Sequence, residues 1–177
     1  MRVAVYGGSF FPPHVGHGMV AAWLRWADRV DEVWLVPTFT HPFGKRLAPF
    51  EDRLRWAEAL ASTVGPWVKV SDIERQLGGT SYTVLTLDAL AAAHAEHEFR
   101  LVIGADLLES TWQWHEWERL ADTYRPIVVG RAGWPDVPGA PTFPDVSSTM
   151  IRARIVADED VSAWVPAAVL DAMADKA

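Results

Sequence analysis

Short runs of apolar residues alternate with amphipathic segments along this chain of 177 residues. Five runs with the composition of β-strands lie at 3–6, 32–36, 67–70, 100–103 and 126–129. In the segments 15–27, 49–63, 82–95 and 114–122, apolar residues recur every three or four positions, which is typical of amphipathic helices. Strands that alternate with helices predict an α/β fold, in which helices joined by right-handed crossovers flank a parallel sheet. Ligands of such sheets bind beyond the carboxyl ends of the strands.

The stretch 133–144 interrupts this alternation because it is rich in glycine and proline. We expect a surface loop there, followed by a last short helical region. The length of the chain is typical of one domain, so we expect a single domain over residues 1–177.

The composition excludes several classes of protein. Half of the residues are hydrophobic and 22% are charged, as in ordinary globular proteins. The sequence has no cysteine, which excludes disulfides, a thiol nucleophile and a zinc–thiolate site, and the cytoplasm is the expected compartment. The first apolar run ends at Gly7, too early for a signal peptide, and no apolar run approaches the ~20 residues of a membrane span. We therefore expect no membrane partner.

The formal net charge of −7 argues against a broad basic surface, so we expect no nucleic-acid partner. Local charge can still hold a small phosphorylated ligand. The basic residues that could gather around one pocket are Lys45, Arg46, Arg131, Arg152 and Arg154. The sequence leaves open whether the chain is a monomer or a homo-oligomer.

A glycine-rich turn with two imidazoles follows the first predicted strand. The segment from Gly7 to His17 has the sequence GGSFFPPHVGH. A strand that leads through glycines into a helix leaves backbone N–H groups free at the helix N-terminus, where an anion can bind. Gly8 lets the backbone approach a phosphate closely, and His14 and His17 add tunable positive charge. This segment predicts a phosphate-binding turn.

A second candidate phosphate site lies near the end of the chain, where residues 146–152 have the sequence VSSTMIR. Hydroxyl groups at a helix start cap its free N–H groups, and the same N-terminus can hold a phosphate. Arg152 adds charge on the adjoining turn. Taken alone, the segment favours a plain helix cap with a solvated arginine.

Together, the two segments resemble the GGxFDPxHxGH and ISSTxIR signatures of the nucleotidylyltransferase superfamily, with Val146 in the isoleucine position. Three further segments resemble those of bacterial nicotinate mononucleotide adenylyltransferases. These are SYTxxTL at 81–87, GxD at 104–106 and the W-[HY] pair at 114–115. The resemblance thus extends over nearly the whole chain.

The resemblance implies a Rossmann-like three-layer fold with a mainly parallel sheet, of the nucleotidylyltransferase type. It also implies adenylyl transfer from ATP to nicotinate mononucleotide, giving deamido-NAD and pyrophosphate in NAD biosynthesis. The partners implied are ATP and a pyridine mononucleotide. Mg²⁺ is expected with the triphosphate, carried mainly by the nucleotide, and no protein ligand to the metal is implied.

The family motifs imply roles for particular residues. The residues implied in catalysis, through positioning and charge neutralisation of the phosphates, are His14, His17, Lys45 and Arg152. The other residues implied in ATP binding are Gly8, Ser9, Phe10, Gly104, Asp106, Ser147, Ser148 and Thr149. The contacts implied for the mononucleotide are Tyr82, Thr83 and Trp114. Structural roles remain open, as helix caps for Ser81 and Asp106 and as packing on Trp117 for Trp114.

Two departures from the family pattern leave alternatives open. Phe11 stands where the family usually has aspartate, and the loop 37–45 has PTFTHPFGK where the family commonly has PxxxPPHK. Lys45 keeps the final lysine, whereas His41 either replaces the family's histidine or simply covers the loop. The alternatives are nicotinamide mononucleotide as a substrate, alone or beside nicotinate mononucleotide; a nucleotidylyltransferase acting on phosphopantetheine or using CTP; and a nucleotide-binding relative without activity.

Overall fold

The alternating pattern folds into a six-stranded sheet in a computed structural model that describes residues 1–27 and 30–175. The strands are β1 (Arg2–Gly8), β2 (Glu32–Pro37), β3 (Val68–Val70), β4 (Glu98–Gly104), β5 (Ile127–Arg131) and β6 (Thr142–Phe143). Their order across the sheet is β3-β2-β1-β4-β5-β6, and every neighbouring pair is parallel.

Helices fill the connections between the strands. They are α1 (Val15–Trp26), α2 (Phe50–Val64), α3 (Ile73–Leu77), α4 (Thr83–Ala93), α5 (Trp117–Tyr124), α6 (Ser148–Val156) and α7 (Ala167–Ala174). A 3₁₀ helix, Ala105–Gln113, continues directly from β4. Among the described residues, no helix is long and apolar enough to cross a membrane.

Two hydrophobic clusters cover the two faces of the sheet. Alternate residues of a strand point to opposite faces, and in β1 Ala4 belongs to one cluster whereas Val3 and Val5 belong to the other. The first cluster includes buried residues of α1, α2 and α7, and the second includes buried residues of α4 and α5. The three layers confirm the Rossmann-like fold that the sequence predicts.

Two local predictions were wrong. The stretch 133–144 is not only a surface loop, because it contains β6, where Phe143 is buried against the α1 side chain of Trp23. The helix predicted over 114–122 begins only at Trp117, since Trp114 lies in extended conformation at the end of the 3₁₀ helix. In both places an aromatic ring, Phe143 or Trp114, makes tertiary contacts that the local pattern does not reveal.

The strand order places the predicted motifs together. β1 is paired with β2 on one side and with β4 on the other, so the connections leave the sheet in opposite directions at β1 and β4. Such a switch point opens a crevice at the carboxyl ends of the two strands. Gly8 and Gly104 end these strands, and the turn at 7–17 therefore lies beside the segment at 104–106.

Candidate active site

A cavity of about 450 Å³ lies at the carboxyl ends of β1, β4 and β5. It is lined by most of the residues that the resemblance implies in phosphate and ATP binding. They are Gly8, Ser9, His14, His17, Lys45, Gly104, Asp106, Ser147, Ser148 and Thr149. The two motifs, more than 130 positions apart in sequence, meet here through a hydrogen bond of 2.9 Å from Ser148 Oγ to the carbonyl of Pro12. We call this space the phosphate cavity.

The two imidazoles lie against each other at the start of α1. Their ring centroids are 3.8 Å apart, and the backbone N–H of His14 donates to His17 Nδ1 at 3.1 Å. Because Nδ1 accepts this bond, the proton of a neutral His17 lies on Nε2. Tyr6 and Phe10 enclose the His17 ring at 5.7 and 5.0 Å between centroids. His17 is thus held as a hydrogen-bond donor with a fixed tautomer.

Burial keeps both imidazoles neutral at pH 7. It lowers the pKa of His14 to about 4, with a further contribution from the positive charge of Arg131. Burial also holds the pKa of His17 well below its ordinary value, aided by His14 and Arg131. In this structure the pair therefore adds no positive charge of its own at pH 7. The histidines offer neutral N–H donors, and the cavity's cations are Lys45 and Arg131.

The two phenylalanines of the turn have different surroundings. Phe10 is 1% exposed and packs beneath Gly8. Its backbone φ is 45°, in the left-handed region that residues other than glycine rarely adopt. Phe11 stacks on Trp56 of α2 at 6.2 Å between ring centroids. The Arg152 guanidinium lies 4.7 Å above the Phe11 ring, and its Nη1 donates to the Phe11 carbonyl at 2.6 Å. Phe11 therefore joins the turn to α2 and α6.

The N-terminus of α6 forms one wall of the phosphate cavity. Ser147 caps the helix, since its hydroxyl accepts from the backbone N–H of Met150 at 3.2 Å. Ser148 holds the turn through Pro12, and Thr149 Oγ1 accepts from Arg152 Nη2 at 3.2 Å. The structure thus agrees with the predicted cap and also brings this helix end to the first motif.

The basic residues expected around one pocket are only partly gathered there. Lys45 lines the cavity, and its pKa is lowered by burial and by the nearby charge of Arg152. Arg152 lies beside the cavity rather than in its lining. Arg154 was wrongly included, because it pairs with Glu159 at 2.6 Å and lies 4.5 Å above Trp164.

Asp106 is held by an ion pair and does not cap the 3₁₀ helix. Its Oδ2 accepts from Arg131 Nη1 at 2.5 Å, and Arg131 Nη2 also contacts Asp145 at 2.8 Å. Within the described part of the chain, Asp106 is the one carboxylate that lines the phosphate cavity. The cavity therefore has no carboxylate cluster that would hold a resident divalent ion, although it fits an ion carried by phosphates.

A second cavity, of about 550 Å³, adjoins the first across Gly7, Gly8, Ser9 and Gly104, which line both. We call it the aromatic cavity. Its walls include Phe43, Tyr82, Thr83, Trp114 and His115, and the ring of Tyr82 lies 4.5 Å from that of His115. Trp114 packs edge-on against Trp117 at 5.7 Å, which is the structural role that the sequence left open for it. Trp114 also lines the aromatic cavity.

Two buried charged residues near the site were missed by the sequence analysis. Arg53 of α2 is 1% exposed and donates to the carbonyls of Ala48 at 2.9 Å and Ser9 at 3.1 Å. It occurs three and four positions before Trp56 and Ala57, on the buried side of the helix, and this periodicity is the signal that could have identified it. Arg53 ties the glycine-rich turn to the loop that carries Lys45.

The second missed residue is Glu74, which is buried at the base of the aromatic cavity. It accepts from the backbone N–H of Phe39 at 2.9 Å and from Thr86 Oγ1 at 3.0 Å. Burial raises the pKa of Glu74, and these hydrogen bonds and the charge of Arg53 oppose that shift. Ser81 does not cap α4; its hydroxyl accepts from the N–H groups of Phe39 and Thr40. The hydrogen bonds to Glu74 and Ser81 thus hold the loop after β2 in place.

Comparison with known proteins places this architecture among nucleotidyltransferases. A family model described as cytidylyltransferase-like matches residues 5–154. A relative from Anaeromyxobacter dehalogenans (strain 2CP-C), named as a probable nicotinate-nucleotide adenylyltransferase, is 50% identical over 172 residues, or 96% of this chain and 91% of the relative. A relative of the same name from Myxococcus xanthus (strain DK1622) is 41% identical over 169 residues, or 94% of this chain and 88% of the relative.

Solved structures share the fold. Plasmodium falciparum nicotinic acid mononucleotide adenylyltransferase complexed with NaAD superposes with a TM-score of 0.81 at 19% identity, covering 98% of this chain and 94% of that one. The same enzyme complexed with APC gives a TM-score of 0.79 at 18% identity, with the same coverage.

Proposed function

The chain belongs to the cytidylyltransferase-like family and, within it, to the nicotinate-nucleotide adenylyltransferases, and we propose that it joins ATP and nicotinate mononucleotide into deamido-NAD and pyrophosphate. The observation that carries this proposal is the pair of adjoining cavities at the β1–β4 switch point. The phosphate cavity takes the triphosphate of ATP, and the aromatic cavity takes the pyridine mononucleotide. The glycine-lined border between them is the place where the two substrates react.

The reaction needs no protein nucleophile. An oxygen of the mononucleotide 5′-phosphate attacks the α-phosphorus of ATP, a new P–O bond forms, and the bond to the bridging oxygen of the β-phosphate breaks. The electron pair leaves with pyrophosphate. Positioning and neutralisation of the developing charge are the main contributions of a protein to such a transfer.

The histidine pair supplies directed hydrogen bonds. His17 donates from Nε2, because its Nδ1 is already occupied by the backbone N–H of His14. His14 Nδ1 is buried without a hydrogen-bond partner among the described residues, which leaves its other ring nitrogen, Nε2, to contact an oxygen of the triphosphate. Phosphate charge beside the two rings would raise their pKa values again. The hydrogen bonds from the rings become stronger as negative charge develops on the leaving pyrophosphate.

Cations and helix ends hold the phosphates. Lys45 and Arg152 hold the β- and γ-phosphates in this proposal. Lys45 lines the phosphate cavity, and Arg152 lies beside it, near enough for its charge to lower the pKa of Lys45 further than burial alone. The backbone N–H groups near Ser9, Phe10 and Ser148 add contacts at the turn and at the start of α6. We propose that Gly104 borders the ribose and that Asp106, oriented by Arg131, accepts from a ribose hydroxyl.

A divalent metal generally accompanies ATP in nucleotidyltransferases of this kind, and we propose Mg²⁺ for this protein. When bound, it would neutralise charge on the phosphate oxygens. The chain's own contribution is to hold the phosphates that carry the ion, since no carboxylate cluster lines the cavity within residues 1–27 and 30–175.

The aromatic cavity favours the acid over the amide. Tyr82 and Thr83 line it at the N-terminus of α4, where the first backbone N–H groups of the helix lack partners within the helix. A nicotinate carboxylate gains charge-assisted hydrogen bonds there that a neutral amide does not. Trp114 offers a face for stacking of the pyridine ring.

Identification of the product tests the proposal. The protein is incubated with ATP, Mg²⁺ and nicotinate mononucleotide, and the product is identified by mass spectrometry. We expect deamido-NAD and one pyrophosphate per product molecule. Matched reactions with CTP in place of ATP, and with phosphopantetheine in place of the mononucleotide, are expected to give no transfer. Transfer to phosphopantetheine, or none to nicotinate mononucleotide, would overturn the assignment.

A further inference from the structure

Two histidines and a glutamate meet in the turn between α4 and β4, at the amino-terminal edge of the sheet. The backbone N–H of His97 donates to the carbonyl of His94 at 3.0 Å, which closes the turn. β4 then runs seven residues to Gly104, so this turn and the phosphate cavity are separated by the length of the strand, about 20 Å. The cluster of His94, Glu96 and His97 is thus remote from the proposed reaction.

The three side chains bring one donor atom each into a small space. These atoms all lie within 4.8 Å of one another. Glu96 Oε1 is 3.5 Å from His97 Nε2 and 3.9 Å from His94 Nδ1. Ligand atoms around a tetrahedral Zn²⁺ lie about 3.4 Å apart, given metal–ligand bonds of about 2.0 to 2.1 Å. The first distance already fits. The second, and the distance between the two imidazole nitrogens, which is at most 4.8 Å, can shorten through movement of the exposed His94 and Glu96 side chains.

Aromatic packing holds the imidazoles in place. The two rings are nearly parallel, with an interplanar angle of 11° and centroids 5.8 Å apart. The indole of Trp34 stands almost perpendicular to both, at 5.0 Å from His94 and 6.0 Å from His97. Because the two rings are already packed, they lose less conformational entropy when an ion binds.

The burial of His97 also determines which of its nitrogens is available. The side chain is 12% exposed, and Nδ1 is buried with no hydrogen-bond partner among the residues that the structure describes. Nε2 is the nitrogen that faces Glu96. The nitrogen that His97 turns toward the carboxylate and the second imidazole is therefore Nε2, and a neutral imidazole can bind a metal ion through that atom.

From this geometry we propose that His94, Glu96 and His97 bind a Zn²⁺-class divalent ion. Two imidazoles and one carboxylate suit Zn²⁺, Ni²⁺ or Cu²⁺, whereas Mg²⁺ and Ca²⁺ prefer shells made of oxygen. Three protein ligands leave the remaining position to water. Because the ligands join the end of α4 to the start of β4, the ion stabilises the folded chain.

Zinc stoichiometry in tag-free protein tests this site. Isothermal titration of Zn²⁺ alone, without ATP, is carried out on the wild type, His94→Ala and Glu96→Gln. His115→Ala is the matched control, since His115 is about as exposed as His94 and also lies beside a glutamate, at 3.1 Å, but belongs to no three-ligand cluster among the described residues. We expect the number of bound ions to fall by one per chain in the first two variants and to stay unchanged in His115→Ala.

Thermal unfolding provides a second readout that does not depend on activity. Zn²⁺ should raise the Tm of the wild type and of His115→Ala by similar amounts, and raise that of His94→Ala clearly less. Wild-type protein that binds no Zn²⁺, or a His94→Ala variant with the wild-type stoichiometry and Tm shift, would overturn the proposal. Any zinc held by the His14–His17 pair is common to all four proteins and cancels in the comparison.

Discussion

At the scale of single residues, the role of His17 depends on one hydrogen bond that leaves its Nε2–H free to donate. His17→Ala removes this donor while the surrounding aromatic contacts of Phe10 and Tyr6 remain as a local core. We expect kcat to fall by roughly 100-fold or more, with a smaller change in the KM for ATP. Steady-state pyrophosphate release gives both values, and circular dichroism checks the fold. A folded variant with near-normal kcat would remove His17 from catalysis.

Phe11 is the residue at which the chain departs most clearly from its family, and its contacts are those of a structural residue. Phe11→Ala removes the stacking on Trp56 and the surface under Arg152, so we expect weaker ATP binding in a calorimetric titration. Phe11→Asp should leave the reaction type unchanged, because the wild type is expected to be active without the aspartate. A wild type that binds ATP without turnover, together with an active Phe11→Asp, would identify a silenced relative.

The role of Arg152 can be distinguished from that of Arg154, which lies on the same helix, α6. Its loss should raise the KM for ATP by the equivalent of a charged hydrogen bond, about 1.5 to 3 kcal/mol, and leave the KM for the mononucleotide less affected. Arg154→Ala is the matched control, since Arg154 is engaged with Glu159 and Trp164 outside the cavity. If Arg152→Ala weakens only the mononucleotide, the placement on the triphosphate is wrong.

At the scale of helices and strands, the sequence predicts best what short segments determine. The turn at 7–17 and the cap at 147–149 are local, and their residues meet in one cavity as the topology requires. Arg53 and Glu74 were missed because their roles arise from contacts between distant elements. Arg53 reaches Ser9, 44 positions away, and Glu74 reaches Phe39, 35 positions away. A charged residue at such a position looks like surface until the fold is known.

The α2 helix offers a direct test of this long-range support. Arg53→Met keeps the apolar stem but leaves the Ser9 and Ala48 carbonyls without their donor, at a cost of about 1 to 3 kcal/mol in the free energy of unfolding. We also expect lower kcat, because the phosphate-binding turn loses its anchor. Arg55→Met is the control, since Arg55 on the same helix binds Asp52 and carbonyls near α7 instead. Urea unfolding and turnover measure the two effects.

Equal kcat values for Arg53→Met and Arg55→Met would contradict a positioning role for Arg53. If Arg53→Met lowers only the free energy of unfolding, Arg53 has a structural role in the core and does not position the turn.

At the scale of the whole molecule, the alternation of strands and helices was sufficient to predict a parallel sheet flanked by helices, and the family resemblance added the Rossmann-like three-layer form. The pattern could not reveal β6, because a strand of two residues in a stretch rich in proline and glycine has no period to detect. Nor could it give the charge state of the histidines, which depends on their burial beneath the assembled site. The net negative charge is compatible with a phosphate site, since Lys45 and Arg131 are local to it.

The most direct test of the central claim is pyrophosphate release from ATP and Mg²⁺ with nicotinate and nicotinamide mononucleotide offered separately. The arrangement of Tyr82, Thr83 and Trp114 at the start of α4 and beside it predicts a higher kcat/KM for nicotinate mononucleotide. Equal or reversed kcat/KM values, or no release with either substrate, would contradict the account.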